Sequence, residues 1–257
     1  MAKEDTKAGG APRVMWSLRV SGLARPAKRK RNFMTDFSVY KKEVLEGALW
    51  LSERGYLGSH RGSGGNVSVR IDEGVMAITP SSLRYQAMSA DDVCVVGFDL
   101  TIIDGKKGIN PSVETGLHGV VYRMRPDVNA VVHTHQTYGS LFSIINTPIP
   151  ALFDEVSFSL GSVIEIIPYA LSGTPDLAKN VAEKVASHAN AFIIQNHGIL
   201  ALGQTLDQAI LHAELLEKAA HIYYMALSTG KPITTLPEPI LALVDAVREH
   251  EVKEARK

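Results

Sequence analysis

Asn129-Ala130-Val131-Val132-His133-Thr134-His135 is the stretch from which the rest of the chain is read. Its β-branched residues suit a pleated, buried strand, and successive strand side chains point to opposite faces. His133 and His135 therefore project from the same face, which is the spacing of two metal ligands. A surface strand with two ordinary histidines has the same pattern, so the pair alone leaves metal binding open.

The 257 residues allow one large domain or two small ones and can bury a substantial core. Lysine plus arginine (27) balances aspartate plus glutamate (27), so net charge gives no argument for a nucleic-acid partner. No apolar run approaches the roughly 20 residues that cross a bilayer, so the expectation is a soluble protein with no membrane partner. The single cysteine, Cys94, excludes an intrachain disulfide and fits a reducing cytoplasm. It lies in the apolar run Val93-Cys94-Val95-Val96, where a buried inert thiol is expected.

Charge is unevenly spread. Residues 1–33 hold nine basic and two acidic residues, net +7, which leaves the other 224 residues of this neutral chain at net −7. With Gly9-Gly10, two prolines and Lys28-Arg29-Lys30-Arg31, this segment is too polar to close a core. We expect a disordered basic extension over 1–33, with Met34-Thr35-Asp36 as the natural beginning; a targeting segment and an anion-binding tail are the alternatives. The folded domain is expected over 34–257.

Phe37, Val44, Leu45, Ala48, Leu49 and Leu51 recur at helical spacing behind a Thr35 or Asp36 cap, with Gly55 as a stop, and predict a helix over 36–54. Short β-branched runs predict strands at 67–70, 75–79 and 93–98. A helix over 112–124 precedes the histidine strand, followed by a helix at 138–145 and a strand at 163–167. A helix at 176–188, strands at 191–195 and 199–202 and a long helix at 206–228 complete the reading. This order predicts an α/β domain of three-layer αβα type, with one central mixed or antiparallel sheet covered by helices.

Four further segments can carry chemistry. In Gly62-Ser63-Gly64-Gly65-Asn66 the glycines allow backbone N–H groups to approach an anion, although a plain tight turn explains them equally. The loop lacks the Gly-Lys-Ser/Thr ending of a nucleotide P-loop. Thr79-Pro80-Ser81-Ser82 ends a strand with three hydroxyls. Ser112-Val113-Glu114-Thr115 opens a predicted helix, where Ser112 capping and the positive helix end account for the residue types without catalysis. Asn196-His197-Gly198 stands between two apolar strands and offers a third imidazole beside a glycine that permits close backbone approach.

In this order, Gly64-Gly65-Asn66-Val67-Ser68, Thr79-Pro80-Ser81, Pro111-Ser112-x-Glu114, His118-x-x-x-Tyr122-Arg123-x-Arg125-Pro126-Asp127-x-x-Ala130-Val131-Val132-His133-Thr134-His135 and Asn196-His197-Gly198 resemble the class II aldolase/adducin-head family. That family includes sugar-phosphate aldolases and a sugar-phosphate epimerase, and the likeness covers about 36–230. The resemblance implies that His133, His135 and His197 are metal ligands, for zinc or alternatively manganese or cobalt. It also implies that Glu114 is the acid/base residue and can touch the metal, and that Ser63, Asn66, Ser81, Ser82 and Ser112 form a pocket for a substrate phosphate. A homotetramer with active sites at subunit interfaces is implied as well.

Three imidazoles leave open coordination positions, as a catalytic site requires. The implied reaction is metal-dependent carbon–carbon cleavage of a small hydroxy- or phosphosugar through an enediolate, with Glu114 moving the proton. Several residues depart from the family pattern. Val113 replaces a second phosphate-binding serine, Ser82 a glycine, and Asp154 a tyrosine presented to the neighbouring site; no tyrosine follows Tyr224. Arg61 and Arg84 flank the anion-binding loops, as substrate ligands or as ordinary surface arginines. Facing the pocket, they would favour the alternative of decarboxylating an oxo or hydroxy-aromatic acid. Epimerisation is disfavoured, because the likeness there favours aspartate at 114; so is a non-catalytic interaction module, to which a complete ligand set is of no use.

Overall fold

The structure is a computed structural model, and it describes residues 36–59 and 61–255. The expected basic extension over 1–33 lies outside the described residues. Helix α1 (Ser38–Glu53) leads into strands β1 (Asn66–Asp72), β2 (Val75–Ile78), β3 (Cys94–Gly97) and β4 (Ile102–Asp104). Helix α2 (Thr115–Met124) precedes β5 (Ala130–Thr134), α3 (Thr137–Ile145), β6 (Ile149–Pro150), α4 (Asp154–Leu160) and β7 (Val163–Ile167). Helix α5 (Pro175–Val185), β8 (Ala191–Ile194), β9 (Gly198–Gly203), α6 (Leu206–Ser228) and α7 (Glu238–Ala255) complete the order.

The strands form a nine-stranded sheet in the order β4-β3-β2-β1-β5-β9-β8-β7-β6. It is mixed: β7 and β8 run parallel, and the other neighbours are antiparallel. Period-two alternation divides the strand residues between two cores. Val67, Val69, Ala130, Val132, Ile193, Ile199 and Ala201 face α1, α3, α4 and α6. Met76, Ile78, Val131, Phe192, Ile194, Leu200 and Leu202 face α2 and α5. This is the expected three-layer arrangement, and both faces of the central strands are apolar because both are covered. Truncating a fully buried side chain such as Leu51 or Leu216 to alanine costs about 2–5 kcal/mol, the transfer cost plus that of the cavity left.

Helix starts follow local chemistry. Asp36 Oδ1 accepts the Ser38 N–H at 2.9 Å, one residue ahead of the N-cap Phe37. Thr174 caps α5 by accepting the Leu177 N–H, with Pro175 in the first turn. Glu217 of α6 accepts the Tyr138 and Gly139 N–H groups at 3.0 and 2.9 Å, placing negative charge at the positive end of α3.

Helix α2 begins at Thr115, not at the expected residue 112. Residues 110–112 are instead paired with the end of β2: Ser81 N donates to Asn110 O, Ser112 N donates to Thr79 O, and Pro80 bridges Pro111. Glu114 is therefore the N-cap residue of α2.

Four elements were not expected. Strand β4 is short, with Ile102 and Ile103 exposed, and β6 has only two residues. Helix α4, at seven residues, is too short to show a period. Helix α7 buries Val244, Arg248 and Val252 at successive four-residue steps, a stripe interrupted by charge. Among the described residues, no helix is long and apolar enough to cross a membrane.

Candidate active site

His133 is the penultimate residue of β5, on the face towards α2, and pairs in register with Asn66 of β1 and Leu200 of β9. His135 lies just beyond the strand and is held by its N–H donating to Tyr56 O at 2.8 Å. The β8–β9 turn supplies His197, with Asn196 left-handed (φ 53°). A Cβ on Gly198 would lie 2.4 Å from Thr134 O and 2.7 Å from His135 Cδ2, so only glycine lets this turn close on β5. Gly65 likewise has φ 69°, and a Cβ there would meet His133 O at 2.6 Å.

The three imidazoles converge. His133 Nε2 lies 3.0 Å from His135 Nε2 and 3.2 Å from His197 Nε2, and the three ligand atoms all lie within 4.8 Å of one another. His133 Nδ1 donates to Ile199 O at 2.7 Å, which leaves Nε2 as a bare lone pair. One lone pair accepts one N–H, so both short contacts cannot be hydrogen bonds; a cation among the three nitrogens satisfies all of them. Burial, then the neighbouring His133 ring, pushes the His135 imidazole down to about 3 and the His197 imidazole down to about 4. Both are thus neutral and ligand-competent at pH 7. Metal–nitrogen bonds of about 2.0–2.1 Å in tetrahedral geometry place nitrogens about 3.3 Å apart. The donor set therefore fits a divalent metal.

Glu114 faces the same centre, with Oε2 3.2 Å from His133 Nε2 and Oε1 3.4 Å from His197 Nε2. Asn66 Nδ2 donates to Oε2 at 2.7 Å, and Ser172 Oγ donates to Oε1 at 2.8 Å. Burial pushes this carboxyl up, but His133, His197 and the two donors outweigh it and hold it at about 2.

The anion-binding segments are neighbours. Tyr85 donates to Gly65 O at 2.7 Å, and Thr79 Oγ1 accepts the Val67 N–H at 3.2 Å, which ties the glycine loop to the end of β2. Ser63 is exposed on that loop. Ser81 and Ser82 hydroxyls are 3.2 Å apart, and Ser82 is left-handed at φ 60°, a conformation more natural to glycine. Ser112 Oγ accepts the Glu114 N–H at 3.2 Å. Asn66 is buried with both ends of its amide engaged, by Glu114 and by His118. Arg61 and Arg84 are exposed and have no ion pair among the described residues. Asp154 opens α4.

The residue-by-residue reading gave no role to Ser172 or to His118. Ser172 lies in the exposed loop between β7 and α5, with no signal of its own. His118 stands four residues after Glu114, a spacing that stacks two side chains on one helix face and could have flagged it.

Comparison with known proteins identifies the family. Residues 42–224 match the family described as Class II Aldolase and Adducin N-terminal domain. A 5-deoxy-D-ribulose 1-phosphate aldolase from Bacillus thuringiensis serovar kurstaki is 35% identical over 182 residues, covering 70% of this chain and 83% of the relative. An L-fuculose phosphate aldolase from Haemophilus influenzae is 36% identical over 190 residues, covering 73% and 85%. The structure of an L-fuculose 1-phosphate aldolase superposes with a TM-score of 0.74 at 31% identity, over 82% of this chain and 97% of that one.

Proposed function

From the premise that the chain belongs to the class II aldolase and adducin family, we propose that it cleaves a small sugar 1-phosphate between two carbons, with Glu114 as acid/base and His133, His135 and His197 as metal ligands. It is an enzyme of the metal-dependent, aldolase-like lyase type acting on a small molecule. One observation carries the residue roles: the three imidazoles and the Glu114 carboxylate converge on one point.

A divalent metal held there supplies Lewis-acid polarisation of the substrate's oxygens; zinc suits three imidazoles, with manganese or cobalt as alternatives. His133 keeps its Nε2 lone pair directed inward through its hydrogen bond to Ile199 O. In cleavage Glu114, ionised at neutral pH, takes up the proton that the hydroxyl of the departing carbon releases as the carbon–carbon bond breaks and delivers it to the carbon beside the carbonyl, where the bond's electron pair remains; in the reverse direction it accepts a proton from that carbon. Its donors, Asn66 and Ser172, stabilise the ionised form and fix where the two oxygens point. The paired segments bearing Ser63, Ser81, Ser82 and Ser112 offer hydroxyls and backbone N–H groups to the phosphate, with Arg61 and Arg84 at their edge. The exposed apolar residues Ile144, Ile145, Ile222, Tyr224, Met225 and Leu227 support assembly, as a homotetramer with sites at subunit interfaces. The expected location is the cytoplasm.

The test is to incubate purified protein with L-fuculose 1-phosphate and with 5-deoxy-D-ribulose 1-phosphate, assaying aldehyde release before and after chelation. Metal-dependent cleavage of either supports the proposal. Full activity in metal-free protein sinks the mechanism, and carbon dioxide release from an oxo or hydroxy-aromatic acid without aldol cleavage redirects it to decarboxylation.

A further inference from the structure

Beneath Glu114 a row of polar side chains runs into the layer between the sheet and α2. Glu114, His118 and Tyr122 recur every four residues and share one face of the α2 segment. Asn66 and Ser68, two apart on β1, share the opposing strand face. The two rows interdigitate. Tyr122 Oη lies 2.7 Å from Ser68 Oγ, Ser68 Oγ lies 2.7 Å from His118 Nδ1, His118 Nε2 meets Asn66 Oδ1, and Asn66 Nδ2 meets Glu114 Oε2 at 2.7 Å. His118 and Ser68 are 0% exposed and Tyr122 is 1% exposed, so no water substitutes for a missing partner.

Hydrogen positions along this row follow from its outer end. An ionised carboxylate only accepts, so the Asn66 atom facing Glu114 is the amide nitrogen and the one facing His118 is the oxygen. His118 must then carry its hydrogen on Nε2. Its bare Nδ1 takes the Ser68 hydroxyl hydrogen, and Ser68 in turn accepts from Tyr122. Every donor points towards Glu114. Turning the Asn66 amide over would set its oxygen against the carboxylate and its N–H₂ against the Nε2 hydrogen, leaving both ends unsatisfied in a buried site.

We propose that His118 is a positioning residue for the acid/base group: its Nε2 hydrogen locks the Asn66 amide in the one orientation that donates to Glu114. The role passes through Asn66, since His118 touches neither the histidine cluster nor open space. It rests on Glu114 being the acid/base residue. The competing role is a core histidine satisfied by its neighbours, with no bearing on turnover.

Two substitutions separate these roles, because a glutamine amide reaches the place of Nε2 and an asparagine amide that of Nδ1. His118→Gln keeps a donor to Asn66 and gives up Ser68; His118→Asn does the reverse. Each loses one buried contact, so their urea midpoints should fall by similar amounts. Positioning requires that His118→Gln stay within about fivefold of wild-type kcat and His118→Asn fall about 10–100-fold, with KM and metal content unchanged. Equal kcat in the two variants overturns the proposal. Glu114→Gln, assayed alongside, reports on the premise: if it turns over normally, the acid/base reading fails first.

A second readout needs no substrate. In the full-length protein labelled with ¹⁵N-histidine, the signal lost in His118→Gln should carry the Nε2-protonated neutral tautomer at pH 7. An Nδ1-protonated or doubly protonated ring overturns the assignment. Asn66→Ala should alter that ring's signals while leaving the protein's fold and the metal content intact; unaltered signals also count against it.

Discussion

Asn66 donates to Glu114 across 2.7 Å while its amide oxygen meets His118. The sequence reads Asn66 as the end of an anion-binding loop, yet it opens β1 and both ends of its amide are already taken. Under the proposed function, contacts to a substrate phosphate would therefore fall to the loop's backbone N–H groups and to Ser63, Ser81, Ser82 and Ser112, and Asn66 would act on the substrate through Glu114.

Glu114→Gln removes the proposed proton carrier with little change in shape. Turnover should fall about 10²–10⁴-fold, the usual contribution of a positioned acid/base group, with metal content kept. Steady-state kinetics and elemental analysis of the same preparation check this. Loss of the metal together with the activity would make Glu114 a ligand first and an acid/base group second.

Gly198→Ala places a methyl group 2.4 Å from Thr134 O and 2.7 Å from His135 Cδ2. The β8–β9 turn must back away and carry His197 with it, so metal affinity should drop at least about tenfold, the scale seen when a ligand's support is lost. Gly74→Ala is the control, because a Cβ there meets nothing within 4 Å. Metal titration of the two variants decides, and equal affinities would show that the turn does not set the ligand geometry.

Ser172→Ala deletes one of the two donors to Glu114 from an exposed loop. Removing a hydrogen bond to the charged form raises a carboxyl pKa, so the acidic limb of the kcat/KM profile should shift to higher pH while the unfolding free energy stays within about 0.5 kcal/mol of wild type. An unmoved limb would mean that the hydroxyl serves only the loop.

His212 is 1% exposed on α6, with Nδ1 2.6 Å from Leu202 O, and burial holds its imidazole at about 4 against an ordinary value of 6.5. Between those values the unfolded chain binds a proton that the folded chain refuses, so this residue makes stability fall as pH drops from about 6.5 to about 4. Each unit of difference is worth about 1.4 kcal/mol. Urea melts at pH 7, 6 and 5 should show a shallower acid loss in His212→Gln than in wild type. Parallel slopes would assign the acid sensitivity elsewhere.

Where local pattern and tertiary environment agree, the elements could be read from the chain. Helix α6 and strand β5 were legible because a long apolar period and a β-branched run each admit one dominant structure. The start of α2 was not, because it depends on Pro111 and Ser112 pairing with Pro80 and Thr79, residues some thirty positions away. Helix α7 was missed because charge interrupts its buried stripe, whose Arg248 donates to His188 O at 3.3 Å and pairs with Glu251. Arg61 and Arg84 illustrate the opposite limit, since residue type alone says nothing about which way an exposed side chain faces.

By itself the sequence determined the chemistry on offer: two histidines at strand spacing, a third beside a glycine, and a carboxylate at the head of a helix. It also held both periods of the row beneath the site, every fourth residue from Glu114 to Tyr122 and every second from Asn66 to Ser68. Only the tertiary structure decided that these two rows face each other, because a period fixes which side chains share a face but not what that face meets. That meeting turns Asn66 from a loop residue into the donor that holds Glu114, and it depends on β1 pairing with β5 beneath the helix that Glu114 begins.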